Sequence, residues 1–294
     1  MKSALITGSA GFVGRHMTGA LLERGWYVYG VDIAEDNADC RWWFQIDNTR
    51  WDLVVHCAAV VGGRQTISND PMAVAVDLEL DAAMFRWAVR SRQPRVVYFS
   101  SSAAYPTHLQ TLPGRLREDH IRLDHLHGTP DMTYGWAKLT GEMLARYAEA
   151  EGVAVHVFRP FSGYGGDQAV DYPFPAYVAR AQRYDDPFTV WGDGTQTRDF
   201  VHIDDIVACV LAAVDEDYRL PVNIGTGVAT SFNQLAAMVC AQMGYTPEIA
   251  HDLTKPTGPS HRVADVGRLH ELYVPRIDLE TGIDLALHRR RNAA

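Results

Sequence analysis

The chain has 294 residues, 47% of them hydrophobic, and a formal net charge of -9; it can bury a large core, and one compact domain with an appended lobe is expected. Nothing sustains a basic surface, which excludes nucleic acid as a partner, and with no run of ~18 apolar residues no membrane span is predicted. The four scattered cysteines, Cys40, Cys57, Cys209 and Cys240, lack C-x-x-C spacing and read as free thiols in a reducing cytoplasm.

At the N-terminus, Met1 to Thr7 has the lysine and apolar stretch of an export signal, but the stretch runs straight into glycines and reads as a first strand. Residues 4–7, 27–32, 53–57, 96–100 and 153–159 are short apolar runs. Strands this apolar are covered on both faces, as in parallel sheets. Between them, residues 14–24, 74–90 and 133–151 repeat apolar positions at helical spacing. This alternation predicts an α/β fold, a doubly wound parallel sheet of the Rossmann type. Beyond Pro160 the pattern breaks into loops, with a helix expected over 175–184, another over 204–214 and a short strand over 221–225. The expected division is a larger domain over 1–165, rejoined by about 200–225, and a smaller C-terminal lobe over 166–294. The run Arg289, Arg290, Arg291 reads as a solvated tail.

Thr7-Gly8-Ser9-Ala10-Gly11-Phe12-Val13-Gly14 lies between the first strand and an amphipathic helix, the context a dinucleotide loop requires. Gly8 permits the turn, Gly11 lets backbone N–H groups approach a pyrophosphate, and Gly14 lets helix pack on strand. The helix N-terminus at Phe12 and Val13 turns its positive end to the phosphates. A glycine triplet alone fits a structural turn as well. Asp32, closing the second strand about twenty residues on, adds a carboxylate that accepts from the ribose hydroxyls of NAD and repels the 2′-phosphate of NADP. NAD is the expected cofactor. Asp47 falls where an adenine-contacting acid would sit, or is a surface aspartate at a strand end.

Tyr134 and Lys138 are four apart on a predicted helix, so both reach one ligand. An ammonium and a positive nicotinamide ring favour the phenolate of a tyrosine that is otherwise a poor base at neutral pH. Ser101 can hydrogen-bond the same substrate oxygen. Ser101, Tyr134 and Lys138 are the expected catalytic set.

Thr7 to Gly14, His56-Cys57-Ala58-Ala59, Phe99 to Ser102, Tyr134 to Lys138, Arg159-Pro160 and Arg198 to Asp205 together resemble the extended short-chain dehydrogenase/reductase family, in its nucleotide-sugar epimerase/dehydratase branch. The resemblance spans nearly the whole chain. It implies an NAD-binding domain, with Tyr134 and Lys138 as well as Ala58 and Ala59 at the cofactor, and a smaller lobe that holds a nucleoside-diphosphate sugar against Ser101, Ser102 and Tyr134. It implies a homodimer paired through residues 77–90 and 134–151. Arg198 resembles the arginine that grips the diphosphate, a task suited to bidentate guanidinium bonding; Lys255 and Arg262 are further candidates, or solvated charges.

The residues after Ser101 bear on the reaction. Related 4,6-dehydratases have an Asp-Glu pair at the positions of Ser102-Ala103, related decarboxylases a glutamate at Ala103, and the GDP-mannose 3,5-epimerase and GDP-fucose synthase branch a cysteine there. Alanine exchanges no proton. What remains needs only serine, tyrosine, lysine and nicotinamide: oxidation of a sugar hydroxyl and return of the hydride, which gives 4-epimerisation if the keto-sugar rotates. The alternatives are a nucleotide-sugar 4-reductase or dehydrogenase and, in another class, a non-catalytic NAD-binding scaffold or sensor.

Two features depart from the family pattern. Asp77 stands where an asparagine is frequent, and the segment between Asp32 and Leu53 is short, so the usual third helix is expected to be trimmed. The insert over 107–130 carries His108, His120, His125 and His127 but no accompanying ligand cluster; it reads as a surface loop, with no metal expected. Trp42-Trp43-Phe44 reads as core packing. Tyr164, Tyr172, Phe174 and Trp191 are candidates for stacking on a base or sugar.

Overall fold

The computed structural model describes residues 1–35, 38–62, 64–111 and 113–291, without the side chains of Thr66, Arg289, Arg290 and Arg291; the basic tail's side chains thus lie outside the described residues. Six parallel strands form the main sheet: β1 Ser3–Thr7, β2 Tyr27–Val31, β3 Leu53–His56, β4 Arg95–Phe99, β5 Ala154–Pro160 and β6 Val222–Ile224, in the order β6-β5-β4-β3-β1-β2. Helices connect them: α1 Phe12–Glu23, α2 Cys40–Ile46, α3 Arg64–Asn69, α4 Ala73–Arg90, α5 Met132–Ala150, α6 Pro173–Gln182 and α7 Ile203–Asp215.

Side-chain alternation sets the two faces. Ala4 and Ile6 of β1, with Leu53 and Val55 of β3, pack beneath α1 and α7 through Met17, Leu21, Ile206 and Val210. Leu5 and Val54 face the other way, onto Phe44 of α2, Leu80 and Met84 of α4, and Ala145 of α5. A third cluster joins α6 and α8 (Phe232–Gln242) to the C-terminal helix Leu279–Arg291 and the strand Phe188–Trp191.

The segment after Asp32 folds into the seven-residue α2, which leaves β2 at the edge of the sheet. Only part of the aromatic run packs inward. Phe44 is buried and Trp43 lies edge-on to Phe44 and Trp87, but Trp42 is 69% exposed, because the helix turns it away from the sheet. The strand order reverses between β1 and β3, and a crevice opens at the carboxyl ends of those strands, where doubly wound sheets bind ligands.

Candidate active site

A cleft of about 1120 Å³ runs from this crevice to the C-terminal elements. One end is built by the glycine loop. Gly8 has φ +70 and donates to the Val31 carbonyl at 2.8 Å, turning the chain from β1 over β2. A Cβ on Gly8 would fall 2.6 Å from the Ala58 nitrogen, and one on Gly14 would strike the Gly8 carbonyl, so the loop closes only without side chains at both places. Gly11 caps α1. Asp32 accepts from the Ala10 N–H at 2.9 Å and the Ala34 N–H at 2.8 Å, so its carboxylate is tied to the loop it faces. Gly8, Gly11, Phe12, Val13, Gly14, Asp32, Ala58 and Ala59 all line this end, and an extended dinucleotide fits the cradle they form.

Asp47 does not. It follows α2 as the C-cap, accepts from Thr49, and lines a separate shallow depression with Tyr27, Tyr29 and Trp51. The cause is local: the segment expected to be a strand coils into a helix and carries Asp47 beyond its far end. Asp39, which caps the other end of α2, lies on the cleft wall.

The centre of the cleft is formed by the turn after β4 and the first turns of α5. Ser101 caps a short turn and accepts from the Ala103 N–H at 3.1 Å. Ser102 is buried beside it, on the cleft wall. The Asp131 N–H donates to the Ala103 carbonyl at 2.8 Å, pinning the start of α5 to this turn. Tyr134 and Lys138 then stand on one face of α5, with the lysine Nζ 5.7 Å from the Tyr134 ring and 5.4 Å from the Tyr98 ring. Ser101, Tyr134 and Lys138 all line the cleft.

The electrostatics differ from the expectation. Burial raises the Tyr134 phenol above its ordinary range and outweighs the Lys138 ammonium, which acts in the opposite direction. In the polypeptide by itself Tyr134 is a neutral phenol. Lys138, although buried, is held above the usual lysine range, chiefly by Asp81, with Tyr134 and Asp77 contributing.

The far end is basic. Arg198 donates to the carbonyls of Thr197, Pro259 and Thr257 at 2.7, 2.8 and 3.0 Å. Burial, Arg262 and Arg64 push its guanidinium down to about 9, so it is still charged at neutral pH. Arg262 donates to Asp131 at 2.5 Å and to Gln110 at 2.6 Å, and Arg64 meets the same Asp131 at 3.1 Å. Arg64 and Arg262 therefore share one carboxylate, while Arg198 beside them bonds only to backbone carbonyls. Lys255 is not on the cleft wall; its ammonium lies over the Trp191 ring, 5.6 Å away. Among the stacking candidates, Tyr172, Phe174 and Trp191 line the cleft, whereas Tyr164 packs on Phe174 in the core.

Arg64, Asp131 and Asp81 escaped functional notice in the sequence. Asp81 was findable, since it lies one helical turn from Asp77 and shares its face. Asp131 directly precedes the tyrosine helix, where a capping acid is common. Arg64 carries no local signal. Among the described residues no cluster of three or more His, Cys, Asp or Glu could hold a metal, and no helix is long and apolar enough to cross a membrane.

A dinucleotide cradle, a tyrosine–lysine helix and an arginine-rich end in one cleft define an oxidoreductase-type enzyme site on a Rossmann sheet. The sequence model of the NAD dependent epimerase/dehydratase family matches residues 4–225, and the chain belongs to that family. It is 29% identical to a dTDP-4-dehydro-6-deoxy-D-allose reductase from a Streptomyces species, over 92% of this chain and 90% of that one. It is 28% identical to a GDP-mannose 3,5-epimerase of Arabidopsis thaliana, over 95% and 79%. Among solved structures it is similar to MoeE5 in complex with UDP-glucuronic acid and NAD, with a TM-score of 0.84, 26% identity and coverage of 99% and 100%. The family's cofactor is NAD.

Proposed function

We propose that the chain is a nucleotide-sugar 4-epimerase that works through a transient 4-keto sugar, with Ser101, Tyr134 and Lys138 as its catalytic residues. The observation that carries this reading is the methyl group at Ala103, buried in the turn that follows Ser101, where relatives that move carbon-bound protons place an acid or a thiol. NAD held by the glycine loop and Asp32 would supply reversible hydride acceptance. Ser101 orients the sugar oxygen, Tyr134 takes its proton and later returns it, and Lys138 supports the charge on the phenolate. Arg198 and Arg262 bind the diphosphate. The arginines' two uncompensated positive charges match a diphosphate, and that supports a nucleoside-diphosphate ligand. Lys255 lies close enough in sequence to Pro256 and Thr257 of the cleft wall to contribute a longer-range charge.

The second reading is a nucleotide-sugar 4-reductase. It draws support from the neutral phenol of Tyr134, the form that donates a proton to a ketone, and from the reductase among the relatives. A homodimer through α4 and α5 is supported by the exposed Leu78, Trp136, Met143 and Tyr147 on these two helices.

The experiment is to purify the protein, quantify bound NAD, and screen nucleotide-sugars by thermal shift, since a ligand of the native state raises its apparent stability. With the best binder carrying deuterium at C4, the epimerase returns the label to C4 without net cofactor consumption. Stoichiometric consumption of added reduced cofactor establishes the reductase instead. Tyr134→Phe abolishes either turnover while NAD remains bound.

A further inference from the structure

Beneath Lys138 lies a buried group of ionisable residues that the reaction above leaves without a role. Asp77 and Asp81, one turn apart on α4, are 2% and 1% exposed, and Lys138 of α5 is 4% exposed. Asp77 accepts from the Val60 N–H at 2.6 Å, on the loop that follows Ala58 and Ala59. Asp81 accepts from the Tyr98 hydroxyl of β4 at 2.6 Å and faces the His56 ring of β3 at 3.3 Å. His56 in turn meets the Thr7 hydroxyl, at the start of the glycine loop, at 2.7 Å. The other groups facing this cluster are Cys57 of β3, Glu142 of α5 and Tyr172 before α6. Glu142 is neutralised by Arg159.

We propose that Asp77 is a positioning residue which, with Asp81, sets two carboxylates against the single ammonium of Lys138, so that Tyr134 gives up its proton only while an oxidised, positively charged nicotinamide lies beside it.

This rests on the NAD-linked reading of the site, and charge balance is its physical basis. One ammonium and two carboxylates leave one negative charge under the phenol. A phenolate there adds a second, which an enclosed site of low polarity resists; a cationic ring beside it restores the balance. When the substrate's hydroxyl proton passes to the phenolate and its hydride to the ring, phenolate and ring lose their charges together. The local charge is therefore the same before and after the step, whereas a phenolate beside a reduced ring is disfavoured. An asparagine at position 77 lacks the charge that keeps the phenol protonated beside a reduced ring. Burial pushes the Asp77 carboxyl up to about 6, with Lys138 opposing, so the second negative charge is in place at neutral pH.

The test needs no sugar. Tyrosinate absorbance is titrated with pH in the holoprotein, and the same titration of Tyr134→Phe is subtracted, with saturating oxidised and then reduced cofactor. The Tyr134 midpoint falls at lower pH with the oxidised form. In Asp77→Asn, which keeps an acceptor for Val60, both midpoints drop by about one pH unit, a tenfold change in proton affinity. Cofactor affinity and the unfolding midpoint of Asp77→Asn are measured alongside, and values near those of the parent show an intact site. Unshifted Tyr134 midpoints in a variant that binds NAD normally overturn the inference and leave the NAD-linked reading standing. Failure of the parent protein to bind NAD overturns that reading itself.

Discussion

Arg159 and Glu142 face each other in the core, joined by hydrogen bonds of 2.8 and 2.7 Å and almost wholly enclosed. Glu142 sits one turn beyond Lys138 on α5, and Arg159 is the next-to-last residue of β5, so the pair ties the tyrosine helix to the sheet. Ser100 donates to Glu142 at 2.5 Å, and Arg159 donates to the Tyr105 hydroxyl and the Glu118 carbonyl at 3.1 and 2.9 Å. Removing one member leaves the other's charge buried without a partner. Glu142→Gln is expected to cost about 3–5 kcal/mol, seen as a lower urea midpoint at unchanged slope. A loss under about 1 kcal/mol would show that the neighbouring hydroxyls and carbonyls satisfy Arg159 alone.

Gly14→Ala drives a methyl group into the Gly8 carbonyl, which is backbone and cannot swing aside. The loop must open. Overpacking of this kind costs about 1–3 kcal/mol, and here it falls on the cradle, so NAD affinity measured by calorimetry is expected to drop at least tenfold. Gly19→Ala on the same helix meets no atom within 4 Å and serves as the neutral control.

Asp131 competes with any bound anion for Arg64 and Arg262. Asp131→Asn frees both guanidiniums, and a nucleoside diphosphate is expected to bind several-fold more tightly at low salt. The gain should shrink at high salt, because more of the binding is then charge attraction. Arg198→Ala is expected to weaken the same ligand at least tenfold. Equal affinities across the three proteins would place the diphosphate elsewhere.

His16 of α1 joins Asp167 at 3.1 Å and Asp204 of α7 at 3.5 Å, and the Asp204 contact is the leading cause of its raised pKa. A histidine titrating higher when folded adds stability that is complete below its unfolded value of about 6.5 and disappears as pH rises through the folded value. Thermal unfolding should show a gain in the parent over His16→Asn near pH 6 that fades above neutrality. Parallel curves would mean that the imidazole binds its proton no more tightly in the native state than in the unfolded chain.

The residues most constrained by physics were the ones visible in the chain. Gly8 and Gly14 stand where a Cβ cannot fit, and Tyr134 and Lys138 are held on one face by helical spacing, so each pattern is local and strong. Arg64 reaches Asp131 across 67 positions, a meeting that only the folded chain creates. Asp47 misled because its neighbours Phe44 and Ile46 suit a strand as well as a helix, and the choice fell to packing against Trp87 and Arg90, which donate to the carbonyls of Asp47 and Phe44. The sign of the effect on Tyr134 was also out of reach. It depends on how deeply the ring is enclosed, and spacing along the chain carries no record of that.

On the proposed reading of Asp32 as the acid that selects NAD, its bond to the Ala10 amide makes discrimination between dinucleotides and the shape of the phosphate turn a single mechanical unit. Exchanging that acid for a small or basic side chain, the simplest route to accommodating an extra phosphate, would also release the turn at its midpoint. A protein re-engineered toward NADP therefore needs a replacement acceptor for Ala10, supplied from elsewhere on the rim, before the new charge at position 32 can be of use.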